Sequence, residues 1–314
     1  MSNFFKFFCW LFLFPLFGLR AEAHLDHLAE YDAQTCQEVL QAVDLPTLWN
    51  CYLKGQTDLY FEQEAEWLSQ KDSWTRAQNI LELGSGNGTY LSRLSETFKE
   101  KTFFGVEKQA SFVEQSNAQF SRSGLTFIEG DAETEYEQHR NQFDAVLYRF
   151  TLQHLKNPKL SLELAHQYLK KDGYIFIIDS YDPARISSHK IHSFEDASHQ
   201  HNERNRAASK GNRRITIEIL EDLQAGNSSL SNLYEVAHTS LDIQGNRLEK
   251  GIRFESEQDR KRYFNHALLF LSILKKGYEV SVDLSKAYNE LQVYLEDKTA
   301  WNCPGMHLLI LRKI

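Results

Sequence analysis

Apolar positions along this chain follow two rhythms in alternation. Short, nearly continuous apolar runs occur at Asn79–Leu83, Thr102–Val106, Leu125–Ile128, Phe143–Phe150 and Tyr174–Ile178. Runs of that length predict strands buried on both faces. Between them lie stretches with helical spacing, Tyr90 to Phe98, Ala110 to Arg122 and one ending near Lys171-Asp-Gly173. Strand and helix in strict alternation predict a parallel α/β sheet whose ligands gather at the carboxyl ends of its strands. Beyond it, Ile215–Leu223, Glu257–Lys275 and Val282–Leu295 have helical spacing, and Tyr234–Asp242 and Gly305–Leu311 resemble strands. The expected architecture is Rossmann-like, a mostly parallel seven-stranded sheet with helices on both faces.

Ahead of the first strand, residues 24–78 carry helical periodicity through Leu25, Leu28, Tyr31, Val39, Leu40 and Val43, and again through Leu59, Phe61, Trp67 and Leu68. This predicts a helical cap of two or three helices. Tyr60 and Phe61 either reach a ligand in the cleft or pack in the core. After strand five the pattern changes. From Ala184 to Arg214 there are seven Lys or Arg and four His against three acids, with little apolar periodicity. We read a polar insertion at about 184–230 within a domain running from 79 to 314. Its histidines, His189, His192, His199 and His201, follow no metal-ligand spacing, so a solvated helical face is preferred to a metal site. Its basic balance suits an anionic substrate.

The chemistry centres on Asn79-Ile-Leu-Glu-Leu-Gly-Ser-Gly-Asn-Gly-Thr. A strand turning at once into a helix needs backbone angles that side chains resist, and a ligand resting on the turn needs the missing Cβ atoms. A dinucleotide fingerprint requires a glycine at position 89, which is Thr89, and a phosphate loop requires a lysine that is absent. Glu107 ends the second strand about 20 residues beyond the glycines, where a carboxylate can accept both hydroxyls of a ribose. An ordinary solvated charge is the alternative. Asp131 ends the third strand in the same way.

The pattern E-x-G-x-G-x-G, with Glu107, Asp131-Ala132 and the segment Tyr148-Arg-Phe-Thr-Leu-Gln-His-Leu-Lys-Asn-Pro158, resembles the class I S-adenosylmethionine-dependent methyltransferases. The resemblance covers about residues 79–183 and extends to the last strand, which it implies is reversed beside strand five. It implies S-adenosylmethionine as cofactor, held by Glu82, Gly84, Ser85, Gly86, Asn87, Glu107, Lys108, Asp131, Ala132 and Arg149. It sets Asp131 beside the adenine, and Tyr148, Arg149 and Phe150 along the methyl-transfer channel. His154 and Arg149 are the weak catalytic candidates, and no metal is expected. Transfer would be an in-line displacement onto an acceptor, expected to be a small molecule. A catalytically silent cofactor-binding protein of the same fold, an exported effector acting on a host target, and an aminopropyl transferase are the alternatives. Arg149 stands against the last, which needs acids for a polyamine.

Composition narrows the remainder. A 42% hydrophobic content over 314 residues supports a large core, and a net charge of -8 opposes general nucleic-acid binding. Lys6, the apolar run Phe7–Phe17 and Ala21-Glu-Ala23 resemble an export signal over residues 1–23, with an uncleaved membrane anchor as the alternative. Export sits uneasily with a cofactor made in the cytosol. Cys36 and Cys51 could pair in an exported cap.

Overall fold

The computed structural model describes residues 23–208, 210–226, 228–241, 252–254 and 256–314. The signal-like segment, apart from its last residue, lies outside them. Two compact units divide the chain.

The first unit comprises the described part of Met1–Gln56 with Ile191–Ser198 and Phe254–Thr299. It is built from helices: α1 (Ala33–Ala42), the first part of α2 (Leu45–Ser69), and two helices from late in the chain. Those two are Glu257–Gly277 and Leu284–Glu296, so the cap is completed by segments from the far end of the chain, not by residues 24–78 alone. Asn265 joins them, donating to the Asp26 carbonyl at 2.6 Å and accepting from the Ala29 N–H at 2.8 Å. The start of each late helix is capped by the oxygen of Ser256 or Asp283, satisfying backbone donors that have no intrahelical partner. Cys36, Cys51 and Cys303 are buried and form no disulfide, so the possible Cys36–Cys51 pairing is not made. Cys36 instead points its Sγ at the Leu28 carbonyl.

The second unit, Thr57–Lys190 with His199–Arg253 and Ala300–Ile314, holds the sheet. Its strands are β1 (Asn79–Leu83), β2 (Thr102–Glu107), β3 (Leu125–Glu129), β4 (Phe143–Arg149), β5 (Leu169–Ser180), β7 (Tyr234–Ser240) and β10 (Met306–Lys313). They run in the order β3-β2-β1-β4-β5-β10-β7. The first five are parallel, while β10 lies antiparallel between β5 and β7. A smaller sheet joins β6 (Ile186–Ser187), β8 (Ile252–Arg253) and β9 (Trp301–Cys303) in the order β6-β9-β8.

The core explains the order. Leu81, Val146, Ile175, Ile177, Leu309 and Leu311 from the central strands are fully buried in one cluster. The helices Pro158–Tyr168 and Ile215–Ala225 contribute Leu162, Ala165, Ile215 and Ile219 to it. The helix before β5 stops at Tyr168, earlier than the expected end near Lys171, because Leu169 is drawn into pairing with Phe143. Tyr148 also belongs to this cluster. Its hydroxyl lies 2.8 Å from Ser161 Oγ and its side chain is fully buried, so it does not line a channel as the sequence suggested. Successive side chains on a strand face opposite ways, which puts Tyr148 on the face covered by Pro158–Tyr168 and Arg149 on the opposite one.

Candidate active site

Strand β1 delivers Glu82 fully into the protein interior, and burial pushes its carboxyl up to about 8. The Arg149 charge opposes that rise, while Glu64 and Glu107 add to it. Its Oε2 has no hydrogen-bond partner. Three glycines then carry the turn in the left-handed region, with φ of 81° at Gly84, 55° at Gly86 and 74° at Gly88. Gly84 is doubly constrained, because a Cβ there would stand 2.5 Å from Thr151 Cγ2. The turn is fastened by the Gly84 and Ser85 N–H groups, both donating to the Val106 carbonyl. Ser85 and Asn87 are buried within it, and Ser85 Oγ also lacks a partner.

Glu107 ends β2 and clasps the turn. Its Oε2 accepts from the Gly86 N–H and its Oε1 from the Gln109 N–H, both at 2.9 Å. Each oxygen retains acceptor capacity for a further hydroxyl. Next to it, Lys108 Nζ stands 2.6 Å from Asp131 Oδ2, beyond the end of β3. That lysine and the Glu133 N–H hold the Asp131 carboxyl below the usual range. Ala132 is buried beside it, and the Tyr136 hydroxyl receives the Asp131 N–H at 2.6 Å.

Arg149, at the end of β4, is buried and bidentate to Glu64 on α2, with Nε–Oε2 at 2.7 Å and a second contact at 3.2 Å. Burial alone would lower its pKa, but Glu64, Tyr90 and Glu82 together outweigh that and raise it. The guanidinium lies over the rings of Tyr90, at 4.1 Å, and Phe150, at 4.9 Å. Phe150 itself has φ of 51°, a strained value for a bulky residue and a feature that clusters at functional sites. Phe61 packs edge-on against Tyr90 and under Arg93, and Tyr60 is buried as well. Both serve the core.

After β4 the chain makes one 3-10 turn, Leu152–His154, and β5 ends in Asp179 and Ser180. Asp179 is fully buried, accepts from the Gln153 N–H at 3.2 Å and the Ser180 N–H at 2.8 Å, and is raised by burial to about 7. His154 combines two properties. It is exposed to solvent, yet surrounding protein desolvates it so strongly that its pKa falls to about 4, with Arg213 and His201 adding to the fall.

All the residues expected to bind cofactor thus stand at the carboxyl edge of β1 to β4. Three further groups carried no sequence signal. Glu64 lies 85 residues before its partner. Gly105, mid-strand in β2, gives Ser85 room, since a Cβ there would meet Ser85 Oγ at 2.7 Å. Arg213 pairs with Asp182 at 2.7 Å, from within the stretch read only as a basic insertion. Among the described residues no cluster of histidines, cysteines or acids forms a metal site. No described helix is long and apolar enough to cross a membrane.

A family model for a methyltransferase domain matches residues 75–262. The chain is 23% identical over 133 residues to the (S)-tetrahydroprotoberberine N-methyltransferase of Eschscholzia californica, covering 40% of this chain and 37% of that protein. It is 23% identical over 99 residues to the ubiquinone biosynthesis O-methyltransferase of Shewanella pealeana, covering 32% of this chain and 42% of that one. It therefore matches about two fifths of the length of these curated relatives. Among solved structures, the plantazolicin methyltransferase BpumL in complex with a triazolic desmethylPZN analog and SAH superposes with a TM-score of 0.50 at 16% identity. That superposition covers 93% of this chain and 95% of the other, and it supports the fold. With the family match spanning more than half its length, this chain belongs to the methyltransferase domain family.

Proposed function

We propose that the protein transfers a methyl group from S-adenosylmethionine to a small-molecule acceptor by in-line displacement. The observation that carries this reading is the pair of buried polar atoms without partners, Glu82 Oε2 and Ser85 Oγ, at the glycine turn that Glu107 clasps. Buried polar groups are otherwise almost always satisfied, so a ligand with complementary donors and acceptors fits this turn. When bound, S-adenosylmethionine supplies a methyl group already activated by the sulfonium charge.

The chain's own groups then have separate tasks. Glu82 receives the cationic ammonium of the methionine portion. Glu107 accepts the ribose hydroxyls while the Gly86 N–H fixes its orientation. Asp131, Lys108 and Ala132 border the adenine. Arg149, locked by Glu64 and stacked on Tyr90, keeps the end of β4 in place. Because the methyl donor is preactivated, alignment and exclusion of water account for most of the catalysis.

Equilibrium dialysis of the full chain against S-adenosylmethionine with a tritiated methyl group tests this. Retention of label at micromolar ligand, weakened about tenfold or more in Glu107→Gln, is expected. A protein that is folded by circular dichroism and retains no label contradicts the proposal. Retention without transfer to any acceptor would favour the silent-binding alternative.

A further inference from the structure

Residues 199–208 and 210–214 of the second unit are fastened at two points on the carboxyl edge of its sheet. At the first, after β4, the Asn212 N–H donates to the Gln153 carbonyl at 2.8 Å, and Gly211 comes so close that a Cβ on it would lie 3.1 Å from the same oxygen. At the second, after β5, the Asp182 carboxylate pairs with Arg213 at 2.7 Å and accepts from Asn202 Nδ2 at 2.5 Å. Arg185, which is not part of this segment, holds the same carboxylate at 2.8 Å. Burial would raise the Asp182 carboxyl, but Arg213, Arg185 and the donated hydrogen bonds bring it below the usual range. Beyond Arg214 the chain is rooted again, because Ile215 and Ile219 are buried in the core cluster of the sheet.

Two features make this a fastening that can open. Among the described residues of the segment only His201 is buried, and the others are half-buried or exposed. A segment with so little buried apolar surface opens far more easily than a core element. Opening also strands no charge. When Arg213 and Asn202 lift into water, Arg185 remains on Asp182, so no buried carboxylate is left without a partner. The first fastening point is shared with the cofactor turn. Thr151, two residues before Gln153, fills the space that a Cβ on Gly84 would need, and its Oγ1 lies 3.5 Å from the Gly84 carbonyl. One short turn thus touches the glycines on one side and carries the segment on the other. A ligand that orders this turn lowers the entropic cost of docking the segment on it.

We propose that this segment is a strap, latched by Asp182, that closes on the ends of β4 and β5 when the cofactor is bound and opens when it leaves. The proposal rests on the methyl-transfer reading above. Open, the strap frees the strand ends at which ligands of such sheets enter. Closed, it helps to keep water from the transfer. Coupling of this kind is reciprocal, so a latch that favours the closed strap also tightens cofactor binding. Asp182 is then a positioning residue, acting through the strap.

Hydrogen–deuterium exchange of the full chain, read by mass spectrometry with and without saturating S-adenosylhomocysteine, tests this. The ligand should slow exchange in the strap by at least about fivefold, as well as slowing it at the glycine turn. Asp182→Asn should speed exchange in the strap about tenfold while β1 and β4 keep their wild-type rates, and should weaken ligand binding by up to about fivefold. Arg185→Gln should act in the opposite direction and slow exchange in the strap, because opening would then leave Asp182 without a counter-ion. A merely structural ion cluster would be loosened by both substitutions. Wild-type strap exchange in Asp182→Asn, or faster or unchanged exchange in Arg185→Gln, overturns the latch. Protection of the glycine turn without the strap overturns the proposal and leaves the cofactor site standing. Protection of neither removes the methyltransferase reading and the proposal with it.

Discussion

The glycine turn after β1 and the cluster around Asp182 after β5 are built by opposite means. The turn comes from neighbouring residues: Gly84, Gly86 and Gly88 set the backbone, and Glu107 holds it through main-chain N–H groups. The Asp182 cluster comes from side chains of separate segments, with Arg185, Arg213 and Asn202 meeting on one carboxylate. A site made of backbone geometry can be kept by a short motif. A site made of side chains from separate loops is free to change its chemistry while the sheet beneath it stays the same.

The largest effect expected comes from the contact that ties α2 to the end of β4. Glu64→Ala leaves the buried Arg149 without its carboxylate, and loss of one partner of a buried pair costs about 3–5 kcal/mol. Chemical denaturation should register this as a lowered midpoint with an unchanged slope. If the loss is small, the pair is not what fixes the end of β4.

Gly84→Ala attacks the turn itself. The residue must hold φ of 81° with a methyl 2.5 Å from Thr151 Cγ2. A strain of about 1–3 kcal/mol is expected, along with a cofactor affinity lowered by at least about 100-fold, measured by calorimetry. Affinity near that of the wild type would mean that the turn does not contact the ligand.

Glu82 gives the comparison a pH signature. Its folded pKa, about 8, lies above its ordinary value, 4.5, so between those values the native state keeps a proton that the unfolded chain has lost. Stability therefore falls as pH rises through this window, and Glu82→Gln should abolish that part of the fall. Binding of a cationic ammonium by the ionised carboxylate should also release about one proton at pH 7. Calorimetry in buffers of different ionisation enthalpy measures the release, which should vanish in Glu82→Gln.

The smallest effect is at the exposed Lys108–Asp131 pair. Lys108→Ala should leave the melting temperature unchanged within error, because exposed pairs contribute little, and reduce cofactor affinity by less than about threefold. A larger loss of affinity would give Lys108 a direct part in holding the ligand.

The same contrast between local and distant partners governs what is legible in the amino-acid sequence. The parallel strands are legible because buried strands leave continuous apolar runs, and the turn because Gly84, Gly86 and Gly88 have no cheap substitutes. Tyr148 is expected on the channel and found in the core because its family segment fixes which loop it belongs to, not which face of β4 it occupies. Glu64, Gly105 and Arg213 escape notice for a related reason. Their roles are defined by partners far away in sequence, and each looks locally like an ordinary residue of a helix, a strand or a basic loop. The late helices Glu257–Gly277 and Leu284–Glu296 are recognisable as helices from their periodicity. Their association with the N-terminal helical segments depends on side chains such as Asn265, whose partners periodicity does not specify.

The central claim is that the glycine turn and its strand-end acids hold the cofactor. Calorimetric titration of the full chain with S-adenosylhomocysteine, in wild type and Gly84→Ala, decides this. Micromolar binding in the wild type that is lost in a Gly84→Ala protein still folded by circular dichroism is the predicted result. Equal binding by both proteins, or none by the wild type, would contradict it.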